Sequence, residues 1–409
     1  MPLTNAQRLW ERHEALARIG ATGRGGVCRL ALTAEDTAGR ALLLSWASRL
    51  GLIAEMDPIG NLFLRRIGRE PDTAPVWTGS HLDTQPTGGK YDGIYGVLAG
   101  LEVLESFAER GVVTRRPIEL VVWTDEEGVR FQPTTMGSAV HAGAVRLEEA
   151  LGARDADGVT AEDALAAQMA ALGGVARRRL GSPAHAYVEA HIEQGPVLEA
   201  ERRVIGAVTG IQGLRQFAIA LAGEEAHAGT TPASRRKDAF VAAHRIVAAL
   251  HWLVEDATGT TRFTIGRFQA APGSPNTVPG RVEFTIDLRH PDLGRLERLT
   301  QGIADICSRE AAPCTAAVTP LLDSTPVAFD PAMVERVRAA ARRVGHDPLD
   351  ILSGATHDAK FMAGLCPTAM IFIPCRGGVS HNESEAVEPE HLAAGAEVLA
   401  EVLRELAEE

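Results

Sequence analysis

Strand-length apolar runs that stop abruptly at histidines and carboxylates restrict this chain more than any other feature. Residues 74–78 and 118–124 are two such runs, separated by helical patterns such as 98–107. Strands alternating with helices predict a largely parallel sheet covered on both faces, whose ligands gather at the carboxyl ends of the strands. Acid and imidazole clusters sit at those ends. From about Ile211 the texture changes, and 216–221 and 281–288 read as antiparallel strands flanking a helix over 238–253. After Ser324 the helix–strand alternation resumes through 333–343 and 368–373. The expected fold is therefore an α/β catalytic domain formed by 1–210 and 327–409, with a mixed, mostly parallel sheet, interrupted by an inserted α+β domain over 211–326. Two domains also suit a chain of 409 residues, longer than one hydrophobic core usually sustains. The Ala/Glu/Asp-rich stretch 148–172 predicts a helical excursion without chemistry.

Composition excludes several function classes. A net charge of −12 argues against a phosphate-backbone partner, which needs a basic face, so no nucleic acid is expected. No run approaches the roughly 18–20 uncharged apolar residues that span a bilayer, so no membrane is expected either. The opening MPLTNAQRLWERHEALARIG has scattered charges, lacks the apolar core of a secretory signal, and reads as a surface helix. The five cysteines, Cys28, Cys307, Cys314, Cys366 and Cys375, are odd in number and show no C-x-x-C spacing, which suggests neither a disulfide framework nor a cysteine zinc site. A cytoplasmic protein is expected.

The chemistry-bearing residues cluster at four places. In Gly79-Ser80-His81-Leu82-Asp83 the two-residue spacing puts His81 and Asp83 on one side, so that Asp83 can orient the imidazole. The turn Gly88-Gly89-Lys90-Tyr91-Asp92-Gly93 thrusts Asp92 forward, where it could bridge two ions. It is not a phosphate loop, because Thr84 stands where that motif needs its first glycine. Run 118–124 opens into Asp125-Glu126-Glu127, where adjacent carboxylates offer one metal ligand and one general base. His191 follows a strand-like run, and His381 lies in the glycine-bearing loop after 368–373. Imidazoles and carboxylates together suit Zn²⁺ or Mn²⁺.

At these residues the chain resembles the zinc-dependent amidase/hydantoinase/carbamoylase branch of the di-metal aminoacylase and carboxypeptidase superfamily. The likeness spans nearly the whole chain through GSHLDTQPTGGKYDGIYGVLAG, WTDEEGVRF, HIEQGPVLE, AHAGTTP, PGSPNTVPG, DLRHP, GATHDA and GGVSHNESE, in the family's order. The first of these is especially similar to β-alanine synthases (β-ureidopropionases) and related carbamoyl amino acid hydrolases. The resemblance implies a two-metal site in which His81, Asp92 and His191 hold one ion and Asp92, Glu127 and His381 the other. Glu126 is then the general acid/base and Asp83 the orienter. It implies a homodimer formed through the inserted lid domain, with His227 supplied across the dimer to polarise the scissile carbonyl and Gln194 nearby. Asn276 and Arg289 fall on the substrate-carboxylate binders, a task suited to a planar guanidinium. Gly377 and Gly378 are expected to let backbone amides approach substrate, and the Asp92–Gly93 bond matches one that is cis in relatives.

Two departures accompany the match: Asp125 replaces the family's usual asparagine, adding charge, and Thr356 replaces a glycine beside His357. Neither removes a ligand or the base. The expected activity is metal-dependent hydrolysis of the carbamoyl C–N bond of an N-carbamoyl amino acid, N-carbamoyl-β-alanine or an N-carbamoyl-L-amino acid. Allantoate, a ureido acid, is the alternative substrate. An aminoacylase or peptidase would ordinarily lack the HIEQGP context, and a non-catalytic binding protein should have lost Glu126 or a ligand.

Overall fold

The computed structural model describes residues 2–409. The chain forms two compact units, one built from residues up to Thr209 together with Ala328–Glu409, the other from Gly210–Val327.

The first unit is organised by a ten-stranded sheet. At its centre Val76–His81 pairs in parallel with both Ile118–Trp123 and Ala186–Ile192, and Ala186–Ile192 pairs in parallel with Thr368–Ile373. All four strands are buried along their whole length, as expected of parallel strands covered on both faces. Antiparallel neighbours flank them: Leu62–Arg66 on Ile118–Trp123, and Gly206–Ile211 on Thr368–Ile373. The sheet is thus mixed, with a parallel centre. Helix Ile94–Glu109 packs on this centre and buries nearly every residue, while Pro389–Glu408 lies against both that helix and the strands.

Three expectations shift. The strand expected over 74–78 runs over Val76–His81 instead, because its polar end stays in the ladder: His81 is in register with Trp123, and the Ser80 hydroxyl donates to Glu189. Helix Ala6–Ala17, capped by the Asn5 side chain, is not simply superficial, for Leu9, His13 and Leu16 are buried. The excursion over 148–172 resolves into two helices, Leu147–Leu151 and Ala161–Leu172.

Chain leaves and rejoins the first unit through neighbouring strands. Gly206–Ile211 and Val327–Ala328 are adjacent in the sheet, and the Phe329 amide donates to the Thr209 carbonyl at 3.0 Å.

The second unit is an antiparallel sheet ordered Arg262–Ala271, Arg281–His290, Gly213–Ala222, Thr315–Ser324. Arg281–His290 alternates buried and partly exposed residues, the period of a strand with one face in a core. Val282, Phe284, Ile286 and Leu288 meet Ile246 and Leu250 of helix Ala239–Val254 and Leu299 and Ile303 of helix Leu293–Glu310. A short ribbon pairs Ala226–His227 with Thr277–Val278. Phe240, Val241 and Trp252 on the first helix, and Leu321 and Leu322 on the edge strand Thr315–Ser324, stay exposed. Among the described residues no helix is long and apolar enough to cross a membrane.

Candidate metal centre

Four adjacent parallel strands deliver the site. Val76–His81 ends in His81, Ile118–Trp123 leads into Asp125-Glu126-Glu127, Ala186–Ile192 carries His191, and the loop after Thr368–Ile373 carries His381. Asp92 enters from the turn before helix Ile94–Glu109. Its two carboxylate oxygens face different partners. Oδ1 lies 3.3 Å from His191 Nε2 and 3.9 Å from His81 Nε2, whereas Oδ2 lies 3.3 Å from His381 Nε2. Glu127 Oε2 is 3.6 Å from the same His381 nitrogen. Two triads result, His81–Asp92–His191 and Asp92–Glu127–His381, each with its donor atoms within 4.8 Å of one another.

The imidazole tautomers suit ligation. His81 Nδ1 donates to the Asp83 carbonyl and His191 Nδ1 to the Ile192 carbonyl, both at 2.9 Å, which leaves each Nε2 lone pair facing the centre. Asp83 therefore orients His81 through its main chain and not, as expected, through its carboxylate, whose nearer oxygen is 3.9 Å away. That carboxylate accepts the amides of Glu126 and Glu127 at 3.3 and 3.1 Å, because the chain reverses there and its amides need acceptors. Gly93, at φ 68°, also donates to His191 Nε2 at 3.1 Å; a Cβ there would lie 2.3 Å from the His81 ring. The Asp92–Gly93 bond is not among the cis peptide bonds of the described residues.

Strain gathers at the same place. Asp125, Gln194 and His381 all adopt positive φ, 53°, 57° and 53°, a conformation uncommon for residues other than glycine and concentrated at functional sites. Asp125 and Gln194 each stand two residues beyond a strand, and His381 lies in the loop that follows Thr368–Ile373. Gln194 Nε2 donates to Asp92 Oδ2 at 2.8 Å, and the Ser380 hydroxyl lies 2.9 Å from the same oxygen.

Electrostatics show a cluster short of positive charge. Burial opposes ionisation of Asp92, but His191, His381 and His81 outweigh it and hold the carboxyl well below its ordinary range. Hydrogen bonding to Asp92 raises His381 to about 9; burial would lower His191, yet Asp92 brings it to about 8. Burial and then Asp92 push Glu127 up to about 8. Glu126 is driven well above the carboxylate range by burial, then by Asp358 and Glu127. Cations on the two triads would relieve this crowding, and the hard and borderline donors present fit divalent ions of the zinc and manganese kind.

A third group, Glu189, His191 and His357, also lies within ligating distance, but hydrogen bonds occupy it. Glu189 accepts from Ser80, Tyr187 and the Ala359 amide, and His357 Nε2 lies 2.9 Å from the Ser353 hydroxyl. His357 packs edge-on against His191 with ring centroids 4.5 Å apart. The charge expected of Asp125 is opposed by its surroundings: burial, then Asp83, push its carboxyl well above the usual range.

Other expected site residues meet mixed outcomes. The Gly377 amide donates to the Glu199 carboxylate of helix Val197–Ala200 at 2.8 Å and the Gly378 amide to the Cys375 carbonyl at 3.0 Å, so both amides already have acceptors. His227 and Asn276 are neighbours on the ribbon of the second unit, where the Ala228 amide donates to the Asn276 carbonyl. His227 Nδ1 accepts the amides of Gly229 and Thr230, so its proton resides on Nε2. Arg289 is engaged by Asp287, two residues back on its own strand, through Nε at 2.8 Å and Nη2 at 3.2 Å. Sequence reading missed the roles of Ser380 and Glu385, which lie inside a quoted motif but act on Asp92, nearly 300 residues away.

A sequence profile of Peptidase family M20/M25/M40 matches residues 77–405. The chain is 42% identical over 409 residues to an N-carbamoyl-L-amino-acid amidohydrolase of Rhizobium meliloti, covering 99% of this chain and 97% of that protein. It is 36% identical over 403 residues to an allantoate amidohydrolase of Bacillus subtilis, covering 96% of each. Among solved structures, an amidase of the hydantoinase/carbamoylase family from Burkholderia multivorans superposes with a TM-score of 0.92 at 47% identity, covering 99% of this chain and 98% of that one.

Proposed function

The chain belongs to peptidase family M20/M25/M40, and from that premise we propose that it hydrolyses the carbamoyl C–N bond of an N-carbamoyl-L-amino acid. The observation that carries this reading is the division of Asp92, whose two oxygens face two separate triads with Glu126 buried beside them. His81, Asp92 and His191 would hold one ion and Asp92, Glu127 and His381 the other, Zn²⁺ first and Mn²⁺ as the alternative. Divalent ions there supply Lewis acidity, polarising a carbonyl oxygen and lowering the pKa of nearby water.

The chain's own residues do the rest. Glu126 Oε2 lies 3.6 Å from His81 Nε2, at the edge of the first triad. Glu126 is assigned as the general base on this position: it takes a proton from the water that attacks the carbamoyl carbon and returns it to the leaving nitrogen, and cations on the two triads would offset the burial and carboxylate crowding that oppose its ionisation. The reaction balances as R–NH–CO–NH₂ + H₂O → R–NH₂ + CO₂ + NH₃. His227, with its proton on Nε2, is assigned to the carbamoyl oxygen, supplied by the partner of a homodimer. Asn276 and Arg289 are assigned to the substrate carboxylate, with Asp287 steadying the guanidinium fork, and Gln194 sits against the bridge. Exposed Phe240, Val241, Trp252, Leu321 and Leu322 support pairing through the second unit. All five cysteines are unpaired, as suits a reducing compartment, and we assign the enzyme to the cytoplasm.

The test is steady-state turnover on N-carbamoyl-L-amino acids, N-carbamoyl-β-alanine, allantoate, N-acetyl amino acids and dipeptides, before and after chelation and restoration of metal. N-carbamoyl-L-amino acids should give the highest kcat/KM, and chelation should abolish it. Preferred turnover of dipeptides, or full activity after verified metal removal, would refute the reading. Allantoate is the second candidate because of the Bacillus subtilis relative, and the same panel separates the two.

A further inference from the structure

Glu385 is only 5% exposed and stands outside both triads. Its Oε1 accepts the amides of Tyr91 at 2.9 Å and Asp92 at 3.2 Å, and its Oε2 lies 3.0 Å from the Ser380 hydroxyl. That hydroxyl is in turn 2.9 Å from Asp92 Oδ2. One carboxyl group thus grips Asp92 at both ends, its backbone directly and its side chain through Ser380. Room for this grip depends on Gly89, where a Cβ would lie 2.0 Å from Glu385 Oε1. Glu385 also belongs to the turn that bears His381, since its own amide donates to the Asn382 carbonyl.

A carboxylate that serves two ions must keep both oxygens aimed at once, and a modest rotation about its last bond abandons one of them. His81 and His191 are held by strands of the sheet centre, whereas His381 sits in a loop. The ion on the His381 side therefore has the less rigid donors and depends more on whatever fastens them. We propose that Glu385 is a positioning residue that, with Ser380, fixes the Asp92 bridge and ties the His381 loop to it, so that its loss weakens the ion held by Asp92, Glu127 and His381 selectively. The inference rests on the two-ion reading given above.

The test follows stepwise Zn²⁺ uptake by the metal-free full-length protein, using equilibrium dialysis with elemental analysis. The wild type should take up two equivalents. Glu385→Ala should keep one near its original affinity and bind the second about 10- to 100-fold more weakly, the usual effect of removing a group that orients a metal ligand. Glu385→Gln retains an acceptor for the two amides and exchanges the acceptor facing Ser380 for a donor, which keeps that contact and leaves the hydroxyl proton for Asp92 Oδ2, and should restore most of the second affinity. Ser380→Ala removes only the side-chain link, and should weaken the second ion while leaving the thermal midpoint of the metal-free protein unchanged; it carries the test if Glu385→Ala does not fold. Two equivalents bound at wild-type affinity by both Glu385→Ala and Ser380→Ala would overturn the inference, as would equal weakening of both ions. A wild type that takes up fewer than two equivalents overturns the two-ion reading itself, before any variant is compared.

Discussion

At the scale of single residues the division of labour between neighbours is the main lesson. Glu126 and Glu127 are consecutive, yet Glu127 faces His381 and Glu126 faces His81. Glu126→Gln preserves shape and should leave two ions bound while lowering kcat by roughly 10²- to 10⁴-fold, the usual worth of a general base; wild-type kcat with full metal content would place the base elsewhere. The convergence of His81, Asp92, Glu127, His191 and His381 was legible because each stands at the end of an apolar run or within a glycine-bearing turn or loop. Asp83 was legible as important but not in its manner of acting, since a two-residue spacing does not tell a carbonyl contact from a carboxylate one. Ser380 and Glu385 were illegible as partners of Asp92: a hydrogen bond across nearly 300 residues leaves no local pattern.

Elements were read better than their boundaries. The strand Thr368–Ile373 was read to the residue, because an unbroken apolar run ends it at Pro374. Val76–His81 was read too early, because glycine, serine and histidine look like a turn until the neighbouring strands pair with them. The opening helix holds a second surprise in His13, which is fully buried, stacks near Tyr95 and donates to the Leu9 carbonyl through Nδ1. Burial lowers its pKa to about 4. Above pH 6.5 the imidazole is neutral in folded and unfolded chains alike, so the full stability is present. As pH falls from 6.5 toward 4 the unfolded chain takes up a proton that the folded one excludes, and stability is lost by up to about 3 kcal/mol. Urea unfolding at pH 7.5 and pH 4.5 should show His13→Phe losing less stability than the wild type over that interval. Equal losses would mean that acid sensitivity arises from other groups.

For the whole molecule the prediction concerns shared sites. If His227 serves the partner's substrate, His227→Ala and Glu126→Gln homodimers should both be nearly inactive. After subunit exchange, each hybrid dimer should contain one site free of both defects and recover part of the activity. No recovery, with exchange confirmed by mass, would confine His227 to its own subunit or exclude it from catalysis. Trp252→Asp should lower the dimer fraction in light scattering at fixed concentration if that exposed ring is part of the interface. The change of texture near residues 211 and 326 was legible because the period of apolar residues alters there, close to the limits of the second unit.

The adjacency of Gly206–Ile211 and Val327–Ala328 makes the second unit removable in principle. A chain joined from Thr209 to Phe329 by a few glycines would have to span only the gap already bridged by their hydrogen bond of 3.0 Å. None of the five residues of the two triads would be lost, and the central strands would keep all their neighbours. Such a shortened protein should fold and still take up two ions, yet turn over substrate poorly, having parted with His227, Asn276 and Arg289 together. Exchanging residues 210–327 between relatives would then test how much of both turnover and substrate choice travels with the second unit while the residues of the two triads stay unchanged.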